Sequence, residues 1–218
     1  MKYYPIMLDI REKDCLVVGG GNVALRKVAG LAACGARVTV VSDSFLSEFA
    51  ELEGNDNIFQ ICRPYVESDL NGRFMVIGAT DNENLNREIA KSAGEKRVLC
   101  NIADLPDACD FILPSIVCRG DLIVSVSTSG ASPAFAKKLR KDIENICGEE
   151  YGIFLRLMRR IRKKALASEH APEEHKGQFE TLIKSGLPEM IQQGDIKGID
   201  RMLYDTFGPG YEYESLME

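Results

Sequence analysis

The sequence predicts an α/β fold with a parallel sheet, on three observations. Short β-branched runs alternate with amphipathic stretches over the first hundred residues, as in a sheet covered by helices. A glycine-rich turn follows the first run. After Pro114 the pattern changes to two short apolar runs and long helical stretches. We therefore expect a Rossmann-like parallel sheet domain over residues 1–113, a small α+β section over 114–145 and a C-terminal helical domain over 146–218.

The first domain is predicted to contain five strands and two helices. The predicted strands are Cys15–Val18, Arg37–Val41, Ile58–Cys62, Phe74–Ile77 and Val98–Cys100. Apolar residues at helical spacing predict helices over residues 22–34 and 82–96. Strands that alternate with helices in this way are joined as parallel neighbours.

The rest of the chain is predicted to be mostly helical. Residues 115–128 are expected to form two strands, and a helix is expected after Ser132. The apolar stripe of that helix would consist of Phe135, Leu139, Ile143 and Ile146. Another cationic helix is expected over 154–165, and the chain from Pro172 onward should be helical and acidic. Residues 208–210 should close the helices before a polar tail.

Composition excludes several classes of protein. The chain has 218 residues, of which 45% are hydrophobic and 28% charged, so disordered and fibrous proteins are disfavoured. Its apolar runs are far shorter than the ~20 residues of a membrane span, and its start lacks the apolar region of a signal peptide. We expect no membrane association and a cytoplasmic location.

Seven cysteines are scattered without a C-x-x-C pair. An odd number without paired spacing indicates neither a disulfide framework nor a zinc site, so most should be small buried hydrophobes. The regular spacing of Cys100, Cys109 and Cys118 leaves a metal site as an alternative, but gaps of eight residues match no usual ligand pattern. No bound metal is predicted.

The charge is distributed unevenly along the chain. A formal net charge of -6 argues against a nucleic-acid partner. Residues 119–164 nevertheless hold eleven Lys and Arg against five Asp and Glu, which gives this segment a net charge of +6. The segments on both sides are negative, so one cationic segment lies inside an anionic chain.

Gly19, Gly21 and Ala24 form a G-x-G-x-x-A pattern directly after the first predicted strand and at the start of a helix. Glycine lets the turn tighten and lets a pyrophosphate approach main-chain N–H groups at the positive end of the helix dipole. Ala24 keeps the helix close to the strand. This context predicts a dinucleotide site, and a glycine-rich turn without a ligand is the alternative.

Polar residues follow the second and fourth predicted strands at the same edge of the sheet. The carboxylate of Asp43, next to Ser44, would accept hydrogen bonds from ribose hydroxyls and repel a 2′-phosphate, which favours NAD over NADP. Either residue could instead cap a helix. Thr80 is a candidate contact to the cofactor, although a plain turn with Asp81 as the helix cap explains the same residues.

Two later segments also offer polar groups. The segment after the fifth strand carries the carboxylates Asp104, Asp107 and Asp110. One of them is a candidate catalytic base, although Asp is also a common turn residue. Ser132 and Pro133 mark a helix start, and helix N-termini attract anions, so ligand binding around Ser129 and Ser132 is compatible with that structural role.

Four segments together resemble the precorrin-2 dehydrogenase family: GGGNVALRK, GATDN, NIADLPDACDFILPS and STSGASPAFAKKLR. The resemblance covers about residues 1–145, and the helical remainder is similar only in length and character. Members of this family, and the N-terminal modules of siroheme synthases, oxidise precorrin-2 to sirohydrochlorin with NAD, and some insert ferrous iron. The resemblance thus implies NAD as the cofactor and precorrin-2 as the substrate, with ferrous iron as a second substrate in question.

Carried over to this chain, the resemblance also implies roles for particular residues. The positions it assigns to NAD are Gly21, Asn22, Val23, Asp43 and Ser44. It assigns the essential aspartate to Asp104. It further implies an intertwined homodimer that pairs through residues 114–145, with the C-terminal helices closing the tetrapyrrole cleft.

The cationic segment agrees with such a substrate, because precorrin-2 is a polycarboxylate. Candidate contacts to its carboxylates are Ser129, Ser132, Lys137 and Arg140. For each basic residue the alternative is a solvated helix face, or a face that meets the acidic C-terminal helices.

Asp104 is the expected proton acceptor, because dehydrogenation moves a hydride to the nicotinamide and releases a proton. Iron insertion requires the loss of two pyrrole protons, which the same carboxylate could assist. The two histidines, His170 and His175, lie in a polar stretch and are weak candidates for a ligand role. Two rival functions stay open: a non-catalytic NAD-sensing module and a dehydrogenase of another anionic substrate.

Overall fold

The computed structural model describes all of the chain except Asp104 and residues 168–175. The expectations for Asp104 and for the two histidines therefore lie outside the described residues. The chain divides into two compact units, Met1–Leu113 and Pro114–Glu218. The second unit contains both sections that the sequence separates near residue 145, and their separation stays a prediction. No helix in the described part of the chain is long and apolar enough to cross a membrane.

A five-stranded parallel sheet forms the first unit, as the sequence predicts. Its strands are β1 (Asp14–Val18), β2 (Arg37–Ser42), β3 (Ile58–Cys62), β4 (Met75–Gly78) and β5 (Leu99–Ile102). They lie in the order β3-β2-β1-β4-β5. Val18 at the end of β1 lies opposite Val41 of β2 and Gly78 of β4. The strand order reverses at β1, and open α/β sheets bind ligands at the carboxyl edge of this position.

The two helices of this unit, α1 (Asn22–Ala33) and α2 (Glu83–Lys96), cover opposite faces of the sheet. Ala24 of α1 is fully buried and belongs to the same core cluster as Val17. Ile89 of α2 packs in a second cluster with Leu16 and Val18. Successive residues of β1 thus point to different helices, as the alternation of side chains along a strand requires. Short 3-10 turns lie at Ser47–Leu52, Glu67–Leu70 and Pro106–Ala108.

The second unit combines an antiparallel strand pair with helices. Its elements are β6 (Ser115–Arg119), β7 (Leu122–Val126), α3 (Pro133–Ile146), α4 (Glu149–Ala167), α5 (Lys176–Lys184), α6 (Leu187–Gln193), α7 (Ile196–Phe207) and α8 (Tyr213–Met217). Helix α4 lies close to the strand pair, since a Cβ on Gly152 would be 2.8 Å from the carbonyl oxygen of Arg119. Leu157 and Ile161 of α4 are fully buried in the helical core with Leu182 and Leu203.

Helix α3 buries little of its predicted apolar stripe. Phe135 is 55% exposed and Ile146 is 70% exposed, and Ala136 alone among the residues of this helix is buried. Ile116 and Ile123, on the neighbouring strands, are also about half exposed. The described residues therefore leave these four apolar side chains of the second unit largely uncovered.

The sequence leaves a helix cap open as the alternative role for Asp43 or Ser44 and for Asp81, and the structure contradicts this alternative at all three residues. Asn82, not Asp81, caps α2, because its Oδ1 accepts a hydrogen bond of 3.1 Å from the Leu85 N–H. Neither Asp43 nor Ser44 caps a helix, since the next helical turn begins three residues later and has no side-chain cap.

The expectation of a plain polar tail was also wrong. Gly208, with φ at +80°, ends α7, and the chain then forms α8. Leu216 of α8 is 6% exposed and packs in the helical core. A helix of five residues is too short for hydrophobic periodicity to reveal it.

Replacing Asn82 with Ala is expected to lower the free energy of unfolding by about 1 kcal/mol, because α2 loses its N-terminal cap. The matched control is Asp81→Ala, which removes a neighbouring polar side chain and should stay within about 0.5 kcal/mol of the parent protein. Urea denaturation followed by circular dichroism measures both variants. Equal destabilisation by the two substitutions would contradict the assignment of the cap.

Candidate functional site

Three consecutive glycines form the turn between β1 and α1, and the first of them closes it against β4. Gly19 has φ at +127°, a conformation that L side chains rarely adopt. A Cβ at this position would overlap the carbonyl oxygen of Ala79, the residue after β4. The Gly19 N–H donates a hydrogen bond of 2.9 Å to the Val41 carbonyl of β2. The absence of a side chain therefore lets the turn touch two neighbouring strand ends.

Gly20 holds the same turn against the loop after β2. A Cβ on Gly20 would overlap the carbonyl oxygen of Ser44, and the Gly20 carbonyl accepts a hydrogen bond of 3.0 Å from the Leu46 N–H. The fingerprint assigns the first and third glycines and gives the second no role. The run of three glycines was the available signal for this contact.

Gly21 is the open position of the turn and the N-cap of α1. A Cβ built there would have no atom within 4 Å, and its φ of -91° is accessible to any residue. No described side chain caps α1, and its first turn carries no acidic residue. Because the first N–H groups of a helix lack partners within the helix, this end of α1 favours an anionic group.

Asn22 and Val23, which the resemblance assigns to NAD, are exposed in the first turn of α1. Their position beside Gly21 agrees with a role at an anion-binding helix start. Their contact with a cofactor stays a prediction.

Asp43 and Ser44 form the exposed loop at the end of β2. The Ser42 hydroxyl donates a hydrogen bond of 2.7 Å to the Ser44 carbonyl, and the Cys62 thiol lies 3.4 Å from the Asp43 carbonyl. No described group hydrogen-bonds the Asp43 carboxylate. This carboxylate is therefore available to a ligand beside the glycine turn.

Thr80, after β4, is held mainly by the protein. Its hydroxyl donates to Asn86 Oδ1 at 2.8 Å, and its carbonyl accepts from Asn86 Nδ2 at 3.0 Å. Asn86 is 4% exposed and was missed by sequence reasoning, although it shares the buried stripe of α2 with Ile89 and Ala93. A contact from Thr80 to the cofactor stays a prediction.

The loop after β5 is organised around the sulfur of Cys109. The Ile102 N–H donates to Cys109 Sγ at 3.1 Å, and the Cys109 thiol donates to the Leu105 carbonyl at 3.3 Å. These contacts fix the two residues that flank the pair Ala103 and Asp104 in the sequence. Cysteine composition alone gave no indication of this role.

Two further groups anchor the same loop. The Asp110 carboxylate accepts a hydrogen bond of 2.9 Å from the Cys100 N–H and so ties the loop to β5. Asn101 Nδ2 donates to the Phe111 carbonyl at 2.9 Å. Asp107 is exposed in a 3-10 turn. No three His, Cys, Asp or Glu side chains of the described residues lie together as a metal site would require.

The start of α3 has the predicted geometry. Ser132 Oγ accepts a hydrogen bond of 3.2 Å from the Phe135 N–H, and Pro133 is the first helical residue, which confirms this cap. Ser129 is exposed with φ at +53°. The two serines thus lie in the loop and cap that open α3, and any contact with a ligand stays a prediction.

The basic side chains of α3 differ in whether they form ion pairs with the protein. Arg140 forms an ion pair with Glu144, and Lys138 pairs with Asp142 at 2.6 Å, both within the helix. Lys137 is exposed and has no ion pair with any described residue. Of the two basic residues predicted to contact the substrate, Lys137 is therefore the freer and Arg140 the more restrained.

Comparison with protein families gives two matches in chain order. A family model described as "Putative NAD(P)-binding" matches residues 6–115, half of the chain. A model described as "Sirohaem biosynthesis protein central" matches residues 119–146.

Curated relatives are siroheme synthases. The protein from Thioalkalivibrio sulfidiphilus is 38% identical over 194 residues, which are 89% of this chain and 40% of that protein. Those from Nitrosococcus oceani and Citrobacter koseri are 37% and 32% identical, over 89% and 93% of this chain and 42% and 44% of their own lengths. The chain thus spans about two fifths of the length of the curated relatives it matches.

A solved structure of a protein named "SirC, precorrin-2 dehydrogenase" matches with a TM-score of 0.74 and 25% identity. The match covers 88% of this chain and 98% of that chain. This likeness extends over most of both chains and agrees with the predicted fold.

Replacing Gly21 with Asp is expected to weaken NAD binding at least tenfold, because the new carboxylate would occupy the place of the pyrophosphate and repel it. The fold should tolerate the change, since the position is open and Asp is a good N-cap. Titration calorimetry measures the affinity. Gly30→Asp, a control on the same helix in another open position, should bind NAD normally. Unchanged affinity in folded Gly21→Asp would place the site elsewhere.

Proposed function

The chain belongs to the NAD(P)-binding family whose model matches residues 6–115, and from this membership we propose that it oxidises precorrin-2 to sirohydrochlorin with NAD in siroheme biosynthesis. The observation that carries the proposal is the open, uncapped start of α1 at Gly21, next to the free carboxylate of Asp43. The siroheme synthase relatives and the precorrin-2 dehydrogenase neighbour support the choice of substrate.

The residues at the carboxyl edge of the sheet fit a dinucleotide. The N–H groups at the start of α1 would hold the pyrophosphate, and Asp43 would accept hydrogen bonds from ribose hydroxyls. Gly19 and Gly20 keep these two elements in contact through the main chain. NAD, when bound, supplies the hydride acceptor.

Asp104 is the proposed proton acceptor of the oxidation. Of the three carboxylates in the loop after β5, Asp110 is engaged with the Cys100 N–H, which argues against it as a base. The Cys109 sulfur restrains the residues at 102 and 105 on either side of the segment that carries Asp104. A loop with restrained ends is suited to hold a base at a constant distance from the reacting carbon.

The start of α3 is the proposed site for the substrate carboxylates. The capped N-terminus of α3 and the exposed ammonium of Lys137 favour anions, and Ser129 and Ser132 would donate hydrogen bonds. Arg140 would first have to leave Glu144, so we give it the smaller contribution. Ferrous iron as a second substrate stays a prediction from the resemblance. Anaerobic incubation of sirohydrochlorin and ferrous iron without NAD, with and without the protein, would check it.

A homodimer is the proposed assembly. Several apolar side chains of α3 and of the β6–β7 pair are exposed, among them Phe135, Ile146 and Ile116, and pairing with a second copy would remove such side chains from water. The cytoplasm is the proposed location, because all seven cysteines are free thiols and such thiols persist in reducing compartments.

Replacing Asp104 with Asn should reduce NAD-dependent oxidation of precorrin-2 by about 10² to 10⁴-fold, because the amide cannot accept the proton. Calorimetry should show unchanged NAD affinity in the same variant. Turnover is followed by the absorption spectrum of the tetrapyrrole. Asp107→Asn, in the same loop, serves as the matched control and should keep parental turnover.

Full turnover in Asp104→Asn would remove this residue from the mechanism. A parent protein that binds NAD but leaves precorrin-2 unchanged would favour one of the rivals, an NAD-sensing module or a dehydrogenase of another anionic substrate.

Replacing Lys137 with Glu should raise the KM for precorrin-2 by about three- to tenfold. The substitution would remove an exposed ion pair with a substrate carboxylate and replace it with a repulsion. NAD affinity should not change. Lys197→Glu, an exposed lysine of α7, controls for the change in net charge. Steady-state kinetics at several salt concentrations measure the effect, which should shrink as salt increases. An equal rise in both variants would show that Lys137 has no specific role.

A further inference from the structure

We propose that Asp69 sets the preference for NAD over NADP by holding the guanidinium of Arg63 away from the ribose end of the dinucleotide site. The proposal rests on the proposed function, because it assumes that NAD binds at Gly21 and Asp43. Asp69 acts only through Arg63 and is therefore a positioning residue.

Arg63 starts at the edge where a 2′-phosphate would lie. It directly follows β3, and its main-chain N–H donates a hydrogen bond of 3.0 Å to the carbonyl of Ser42, the last residue of β2. The preceding residue, Cys62, contacts the main chain of Asp43. Rossmann domains that bind NADP commonly use an arginine near the end of the second strand to accommodate the 2′-phosphate. The position of Arg63 in the chain would therefore allow it to contact a 2′-phosphate.

The guanidinium of Arg63 forms hydrogen bonds with other groups of the protein. Its two terminal nitrogens donate to the two carboxylate oxygens of Asp69, at 2.6 Å and 2.8 Å. One of these nitrogens also donates to the Pro64 carbonyl at 2.9 Å. A bidentate pair of this kind fixes the plane as well as the position of the guanidinium. Arg63 is thereby directed to the 3-10 turn Glu67–Leu70.

The Asp69 carboxylate is itself held in place by the protein. Its side chain is 10% exposed, and its Oδ2 also accepts a hydrogen bond of 3.0 Å from the Val66 N–H. The neighbouring Leu70 is fully buried against the α2 side of the sheet. The hydrogen bonds from Arg63 hold the pKa of Asp69 below its usual value, so the carboxylate stays ionised at neutral pH.

The two carboxylates therefore act in the same direction. Asp43 has a free carboxylate that would repel a 2′-phosphate. Asp69 binds the guanidinium of Arg63, which would otherwise be available to compensate for this repulsion. An acid at the end of β2 is the determinant that sequence reasoning identifies, and the Arg63–Asp69 pair is a second determinant that depends on the fold.

The test uses calorimetric titration of the full chain with NAD and with NADP. Asp69→Asn should release Arg63 and raise NADP affinity about tenfold relative to NAD, as expected for one new charge-assisted hydrogen bond. The double variant Asp69→Asn with Arg63→Ala should lose this gain. Glu83→Gln, which removes a carboxylate from the Arg87 ion pair on α2, is the charge-matched control and should keep the parental ratio of affinities.

Arg63→Ala alone provides a test that does not depend on the folding of Asp69→Asn. It should leave the ratio of the two affinities unchanged, because the guanidinium makes no contact with either dinucleotide in the parent protein. A marked loss of NADP affinity in this variant would overturn the proposal. So would a gain in Asp69→Asn that persists in the double variant.

The failure of this proposal is distinguishable from that of the proposed function. A parent protein that binds neither dinucleotide contradicts both. A parent protein that binds NAD, together with a folded Asp69→Asn variant whose ratio is unchanged, contradicts only the role of Asp69.

Discussion

The approach of main-chain atoms at Gly19 and Gly20 is the constraint on which the candidate site depends. A side chain on the first would overlap the Ala79 carbonyl, and a side chain on the second would overlap the Ser44 carbonyl. Because both residues lack a Cβ, the turns after β1, β2 and β4 can touch one another, and α1 begins at their junction. The open position at Gly21 lies at this junction, at the edge where open α/β sheets bind ligands.

Several polar side chains at this edge of the sheet form hydrogen bonds with other parts of the protein. Thr80 is tied to α2, Asp110 to β5 and Arg63 to the turn after β3. Among the described groups that remain available are the N–H groups at the start of α1 and the carboxylate of Asp43. The edge therefore offers donors for a pyrophosphate and an acceptor for a ribose, and none of these described groups is a cation for a further phosphate.

The parallel sheet was predictable because buried strands give continuous β-branched runs that alternate with helices. The order of the strands was not predicted. The end of β4 was predicted one residue too early, because a glycine suggests a turn. Gly78 nevertheless belongs to the strand and pairs with Ile102 of β5, and a Cβ there would be 2.6 Å from Cδ1 of that residue. The contacts of Gly20, Asn86 and Asp69 were not predicted either. They depend on partners that are distant in sequence or on side-chain geometry that the sequence does not specify.

The most direct test of the candidate site is a crystal structure of the protein with NAD bound. We expect the pyrophosphate to lie at the start of α1, within hydrogen-bonding distance of the main-chain N–H groups next to Gly21, and the adenosine ribose to contact the carboxylate of Asp43. A dinucleotide bound with its pyrophosphate away from this helix start, or with its ribose directed away from the end of β2, would contradict this assignment of the site.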